Sequence, residues 1–383
     1  MTKYEEVGVD AQKEGIEVFE STIKNLFPQA FCTVEQDPDN EERGIVLHTD
    51  GAGSKPVQNY LHWKETGETD WFKTIGQDVL AMNLDDLICL GAKPIGFVDY
   101  IALNKNRFPK KEVLSALNSG FKEIFDSMKN QEIEISFLGG ETADLPDQLK
   151  TLDVSGTIYG RVNLSEAITG ENIEPGNLIV GLRSGGKTSY ENEKNSGLMC
   201  NGITLARHSL MKKEYEEKYP EIGSSESEYY GDFAFDDYKN ELGMTVGEAI
   251  LSPTRIFAPV IKEVLDKHQE QITGIVHNTG GGQTKSLALG ENIHYVKDNL
   301  IEPDPIFSLI QKSSGEEWKA MFEDFNMGTG FEIMIKEDYA EDVLKIAEKF
   351  NLGAKIIGRC EKSEEENKVT INSKFGEFNY GGD

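Results

Sequence analysis

Three short strings in the first 150 residues place acids and glycines beside one another, which is chemistry suited to a metal and a phosphate. Thr49-Asp50-Gly51-Ala52-Gly53-Ser54-Lys55 combines a carboxylate able to hold a metal, glycines that let a ligand approach the backbone, and a cation. Its glycines are two apart, so it is not the G-x-x-x-x-G-K-[ST] phosphate loop, and its plainest reading is a tight turn. Asp78, Asp85 and Asp86 stand among apolar residues; Asp78 and Asp85 are two helical turns apart and share a face. Carboxylates on a largely buried helix need a compensating cation or donor, for which magnesium would serve; an amphipathic helix with its aspartates in water is the competing reading. Gly139-Gly140-Glu141-Thr142-Ala143-Asp144 adds two more glycines and two acids three apart, again after a strand. Three acid-bearing elements in one chain point to a shared metal–nucleotide site.

The second half offers His277-Asn278-Thr279-Gly280-Gly281-Gly282 and Phe325-Asn326-Met327-Gly328-Thr329-Gly330, loops suited to phosphate or ribose. His277 titrates near neutrality and is a candidate proton carrier, although a histidine beside a glycine turn is more often a hydrogen-bonded structural residue. Asn201-Gly202 reads as a ligand loop or a turn. Cys200 would be a nucleophile only with a base to lower its pKa, and its sequence neighbours supply none. The four cysteines form no C-x-x-C pair, and the six histidines show no H-E-x-x-H spacing.

The elements that must position these residues alternate. Gly44–Thr49 reads as a buried strand, 74–90 as a helix stopped by Gly91 and Pro94, 95–103 as a strand, and Val113–Met128 as an amphipathic helix. Alternating residues before Gly139 and over 152–159 predict half-exposed strands. The turn-rich stretch 169–176 predicts a boundary near 170, giving domains 1–170 and 171–383. The crowded acidic segment 212–243 reads as an exposed insertion without chemistry, and Ser252-Pro253 as a helix start. The fold class expected is α+β: two domains, each a mixed or antiparallel sheet with helices on one face.

Across 383 residues the net charge is −28. That field repels nucleic acid and anionic membranes, so no nucleic-acid partner is expected, and a nucleotide ligand needs local backbone N–H groups, cations or a metal. No apolar run approaches 18 residues and the first residues lack a signal core, so a cytoplasmic protein without a membrane span is expected.

With these strings, Ala81-Met82-Asn83-Leu84-Asp85-Asp86-Leu87 and Ser252-Pro253-Thr254-Arg255 in this order, the chain resembles the phosphoribosylformylglycinamidine cyclo-ligase (aminoimidazole ribonucleotide synthetase) family. The resemblance implies an ATP-dependent ligase of purine biosynthesis that closes the imidazole ring of formylglycinamidine ribonucleotide, with Mg2+ as cofactor and a homodimer as the assembly. It implies Asp50, Asp86 and Glu141 on the metal; Gly51, Gly53, Ser54, Gly139, Gly140, Glu141 and Thr142 on ATP; and Lys55 on its phosphates. Asn201, Gly202, Thr279, Gly280 and Gly281 would hold substrate, with His277 near the reacting atoms and Asp50, Lys55, Asp86 and His277 as the catalytic set. Three features depart from the family pattern: the acidic stretch 212–243 exceeds it, and two strings differ. Phe27–Cys32 stands where a glycine-rich segment is usual, and Leu198-Met199-Cys200-Asn201-Gly202 replaces Pro-His-Ser-Asn-Gly, leaving His277 or His208 to take the lost histidine's role, or a different substrate. The alternatives are another Mg-ATP-using member of the same superfamily and a catalytically silent nucleotide-binding homologue.

Overall fold

The apolar, β-branched runs form two sheets drawn from separate stretches of chain. The computed structural model describes residues 2–10, 15, 17–20, 22–224 and 227–382. The first sheet contains β1 (Glu35–Gln36), β2 (Arg43–Gly51), β3 (Lys93–Leu103), β4 (Ser136–Asp144) and β5 (Leu152–Asn163), in the order β1-β2-β5-β3-β4. Only β3 and β4 run parallel within it. The second sheet is built from β6 (Leu178–Arg183), β9 (Ile272–His277), β10 (Ile293–Lys297), β11 (Thr329–Ile335), β12 (Ala354–Lys362), β13 (Lys368–Ser373) and β14 (Gly376–Tyr380). Their order is β14-β13-β10-β12-β6-β11-β9, and a small hairpin, β7 (Tyr238–Lys239) with β8 (Met244–Thr245), stands apart. The expected two-part α+β architecture is present.

In β2 and β5 the even-numbered residues face inward and the odd-numbered ones face out. The inner face is covered by the helices Thr74–Ile88 and Lys110–Asn130. Helix and strand expectations for 44–130 hold within a few residues. Three others need correction. The Gly139–Asp144 string is not a loop after a strand; it belongs to edge strand β4, where the parallel register on β3 outweighs the glycines. Ser252-Pro253 starts no helix, because Ser252 caps the end of Val246–Leu251 and the next helix begins at Ala258 with Pro259 in its first turn.

The acidic segment 212–243 is not a bare insertion either. Tyr215, Tyr219, Ile222, Tyr229 and Leu242 are buried, and Tyr60 of the Lys55–Thr66 helix donates its hydroxyl hydrogen to Glu221. Most of its charges face water while Tyr215, Tyr219 and Tyr229 supply core, a split that net charge along the sequence conceals. Ser225 and Glu226 lie outside the described residues.

Where the two covering helices cross, glycine permits contact of backbone on backbone. A Cβ on Gly120 would lie 1.9 Å from the Lys73 carbonyl oxygen, and one on Gly76 would lie 2.7 Å from Phe121 N. This close approach seats Thr74–Ile88, which carries the three aspartates. Gly120→Ala should therefore destabilise the protein by about 3 kcal/mol, the top of the usual overpacking range. Exposed Asn118→Ala should stay within about 0.5 kcal/mol. Urea titrations of both variants check this.

Candidate active site

The three aspartates of Thr74–Ile88 are all buried, so the solvated-face reading fails. Each is compensated by protein groups. Asp78 Oδ1 accepts from Lys55 Nζ at 2.6 Å and from the backbone N and hydroxyl of Thr254 at 2.7 Å. Asp85 accepts from Phe257 N and Ala258 N at 2.8 and 2.9 Å, at the positive end of the Ala258–His268 helix. Burial pushes its carboxyl up, and these two donors oppose that. Asp86 Oδ1 meets His277 Nδ1 at 2.7 Å, and its Oδ2 lies 3.3 Å from His48 Nε2. Burial alone would raise Asp86, but Lys285, His277 and His48 outweigh it and hold this carboxyl far below its ordinary range.

Lys55 consequently does not sit where a phosphate could meet it. Its ammonium is completely buried and donates to Asp78 and to the Ser252 carbonyl at 2.6 Å. The helix that starts at Lys55 turns the side chain inward, away from the glycine turn that precedes it.

Several expected residues do converge at a seam between the two sheets' helices and loops. Asn83 Nδ2 donates to the Asp50 carbonyl at 3.0 Å, fixing the turn that follows. Ser54 Oγ lies 2.9 Å from Thr204 Oγ1, bringing the Asp50–Ser54 turn against the Asn201–Gly202 loop. Asn201 Nδ2 reaches the Asn278 carbonyl at 3.4 Å, which joins that loop to His277–Gly282. Gly202 is required structurally as well: its φ is +66°, and a Cβ there would strike the Phe325 ring at 1.9 Å. Asp50 is half-buried, and its carboxyl is pushed up first by burial and then by Asp86. Thr279, Gly280 and Gly281 follow β9 directly, and Gly280 and Gly281 are open to solvent.

Gly139, Gly140, Glu141 and Thr142 do not join this seam. The pairing row Asp50–Gly156–Asp99–Gly140 crosses three strand intervals, about 14 Å at sheet spacing. Glu141 pairs with Tyr100, which pairs in turn with Ser155, on the outward face, opposite Asp50 and Asp86. Asp50, Asp86 and Glu141 thus do not fit one magnesium ion within this chain, and among the described residues no group of three or more such side chains has that geometry.

His277 also departs from expectation. Its ring is fully buried beside Phe257 and Phe331, its Nε2 has no partner, and burial lowers its pKa. Because ionised Asp86 only accepts, His277 Nδ1 carries the hydrogen, and the imidazole orients Asp86 rather than reaching solvent as a proton carrier. His208 is no substitute: it is buried against Tyr229, and burial brings its pKa to about 4. Met199, in the lost histidine's position, is buried, its sulfur in the inner layer beside Gly330. Cys200 lies 3.0 Å from the Thr254 hydroxyl and 3.5 Å from Asp78 Oδ1; burial and that carboxylate push its thiol up, so it is not an activated nucleophile.

Sequence reasoning missed His48, Lys285 and Cys32, whose Sγ donates to the Asp86 carbonyl at 3.2 Å. His48 was legible as an inward residue two before Asp50 on β2, but its partner, 38 residues on, was not. A buried network behind the seam was missed too. Asn278 Nδ2 donates to Glu332 at 2.8 Å, and fully buried Lys297 donates to the same oxygen at 2.7 Å and to the Gln283 carbonyl at 2.6 Å. It holds the glycine loop from beneath. Arg255 is likewise structural, bidentate on Glu191 and bonded to three carbonyls of 183–186.

Removing Lys55 separates the two roles it has been given. Lys55→Met should cost about 3–5 kcal/mol of stability, the penalty for leaving a buried carboxylate unpaired. Thermal unfolding and the KM for ATP together decide: a stable variant with only a raised KM would return Lys55 to the phosphates.

Both lobes match family models. Residues 31–162 match the N-terminal domain of AIR synthase related proteins, and residues 174–370 match the C-terminal domain. The chain is 37% identical over 334 residues to the phosphoribosylformylglycinamidine cyclo-ligase of Methanocaldococcus jannaschii, covering 86% of this chain and 82% of that one. It is 34% identical to the enzyme of the same name from Methanococcus maripaludis strain C7, covering 97% and 95%. Among solved structures, the HypE-HypF complex matches with TM-score 0.56 at 16% identity, over 96% of this chain and 98% of that one. AaThiL complexed with AMPPCP and TMP matches with TM-score 0.56 at 11% identity, over 96% of each chain. At such identities the structural likeness concerns the fold alone, whereas the sequence matches run through both lobes at full length: the chain belongs to the AIR synthase family, and within it to the phosphoribosylformylglycinamidine cyclo-ligases.

Proposed function

We propose that the chain closes the imidazole ring of formylglycinamidine ribonucleotide at the seam between its lobes, consuming ATP and releasing aminoimidazole ribonucleotide, ADP and phosphate. The observation that carries this reading is the contact of the Asp50–Ser54 turn with Asn201–Gly202, and of that loop with His277–Gly281. Three strings of the cyclo-ligase pattern, separated by up to 231 positions in the chain, meet there. The γ-phosphoryl group passes to the formyl-amide oxygen. An amidine nitrogen then forms the new C–N bond, the C–O bond breaks with phosphate as leaving group, and the nitrogen loses its proton to solvent. Phosphorylation makes a poor leaving group a good one, so positioning and fixed charge are what the protein must supply.

Asp86 acts here as a fixed negative centre clamped from both sides by imidazoles. Asn201 and the backbone of Thr279–Gly281 face the substrate, and half-buried Asp50 begins the turn that adjoins them. Magnesium would enter with the ATP phosphates, where it would balance their charge. No three-carboxylate cage is needed for that, and no step is assigned to the ion.

The reading also covers assembly. Residues 1–170 form the ATP-binding and pairing lobe, and 171–383 the second lobe. The outward face of the first sheet carries Leu47 and Leu138 at 65% and 68% exposure, with Val98 and Tyr100 between them. An apolar face of this kind on an open sheet fits the same face of a second copy. Glu141 lies on that face, so pairing would carry it toward the partner. Among the described residues no helix is long and apolar enough to cross a membrane, and a cytoplasmic enzyme is the location that accords with this chemistry.

With formylglycinamidine ribonucleotide, ATP and magnesium, the purified chain should release ADP and a diazotisable aminoimidazole together. Asp86→Asn should lower kcat at least about a hundredfold, as loss of a fixed site charge does. ADP without the amine would overturn the reaction, and an unchanged rate in the variant would remove Asp86 from the site. Separately, sedimentation of the wild type should give a dimer that Leu138→Asp converts to monomer; a monomeric wild type would discard the pairing.

A further inference from the structure

A chain of net charge −28 that handles phosphate-bearing ligands needs a cation at its site, and the lysine of the glycine turn does not provide it. Lys55 is spent on Asp78 in the interior. Asp50 and Asp86 by themselves would repel a phosphate. The lysine bonded to the glycine loop itself is Lys285, three residues past Gly282 on the short helical segment Gly282–Ala288.

Lys285 differs from Lys55 in every respect that matters for a ligand. It is only half-buried. Its ammonium donates to the Thr279 hydroxyl and lies 4.6 Å above the Phe31 ring centroid. Among the described residues no carboxylate is within ion-pair distance of it, and of an ammonium's three donors only one has a protein acceptor. Its bond to Thr279 and its seat over Phe31, next to the cysteine that meets the Asp86 carbonyl, set it at the seam. The neighbouring loop is open: nothing lies within 4 Å of a Cβ built on Gly280, and Gly281 has φ +92°. Phe31 belongs to Phe27–Cys32, the stretch that stands in place of a glycine-rich segment, and Cys32 beside it bonds the Asp86 carbonyl. That stretch therefore supplies a platform under the ammonium rather than backbone donors.

We propose that Lys285, and not Lys55, is the cation that receives a phosphate of the bound ligand, with the Thr279 hydroxyl and the Gly280–Gly281 backbone beside it. The proposal rests on the reading of the seam as the substrate site, and it deepens that reading by naming the group that recognises phosphate. The phosphate is either the monoester of the ribonucleotide or the polyphosphate of ATP. Both present the same oxygens to an ammonium, and a charge-assisted contact of this kind is among the stronger single hydrogen bonds.

The test titrates wild type, Lys285→Met, Lys285→Gln and Lys285→Arg with three probes: ATP, formylglycinamidine ribonucleotide and inorganic tripolyphosphate. Thermal unfolding first confirms that each variant is folded, as a half-exposed side chain allows. The Met and Gln variants should bind tripolyphosphate and at least one nucleotide at least about tenfold more weakly, with a shallower salt dependence, while Arg stays within about threefold. The nucleotide that weakens identifies the source of the phosphate. Unchanged affinity for all three probes in a folded Met or Gln variant overturns the proposal, as does a wild type that binds none of them. Wild-type tripolyphosphate binding lost with Lys285, in a chain that forms no aminoimidazole, keeps the phosphate site and discards the cyclo-ligase reading instead.

Discussion

Burying an unpaired carboxylate costs several kcal/mol, and the helix Thr74–Ile88 buries three. The compensation comes from different parts of the chain. Asp78 draws on Lys55 and Thr254, Asp85 on the start of the Ala258–His268 helix, and Asp86 on His277 and His48. Most of these partners lie beyond residue 250, so satisfying one helix of the first lobe fixes how the second lobe sits against it. The seam is therefore a consequence of charge burial as well as of apolar packing.

This accounts for the fate of the Ser252-Pro253-Thr254-Arg255 string. Each of its polar members contributes to the clasp: the Ser252 carbonyl accepts from Lys55, Thr254 donates to Asp78, and Arg255 pins the 183–191 loop. A string that seems suited to ligand chemistry works instead as structure, because its donors are turned toward buried acceptors. The same holds for Lys55 and His277. What stays open or half-open at the seam includes Asp50, Gly51, Gly53 and Ser54, the glycine backbone of 280–281, and Lys285.

The division of labour agrees with a reaction whose chemistry is carried by ATP. A ring closure assisted by phosphorylation needs its reactants held and its charges balanced more than it needs a strong acid or base. A rigid acidic centre at Asp86, held by two imidazoles, and a loop supported from below by the Lys297–Glu332 pair are suited to that task. Buried ion pairs of this kind gain little stability over apolar residues of similar volume, and geometry at the seam is what they maintain here.

Apolar periodicity and glycine-rich turns are local properties and were enough to read the α+β class and the two lobes, while the order of the strings carried the resemblance to the family. Local pattern also located the Thr74–Ile88 helix and named Asp50, Asp86, Asn201 and the 277–282 loop. It could not say which charges would cancel one another, since Lys55 with Asp78 and Asp86 with His277 are pairs set by packing across 23 and 191 positions. It misplaced Glu141 because a glycine string looks like a loop until a neighbouring strand recruits it, and strand alternation then sends its side chain to the outward face. It passed over Lys285 because a lysine three residues past a glycine loop carries no signature of its own. Only the tertiary structure, by sequestering one lysine and leaving another half-open beside the glycine loop, decides which cation a ligand can meet.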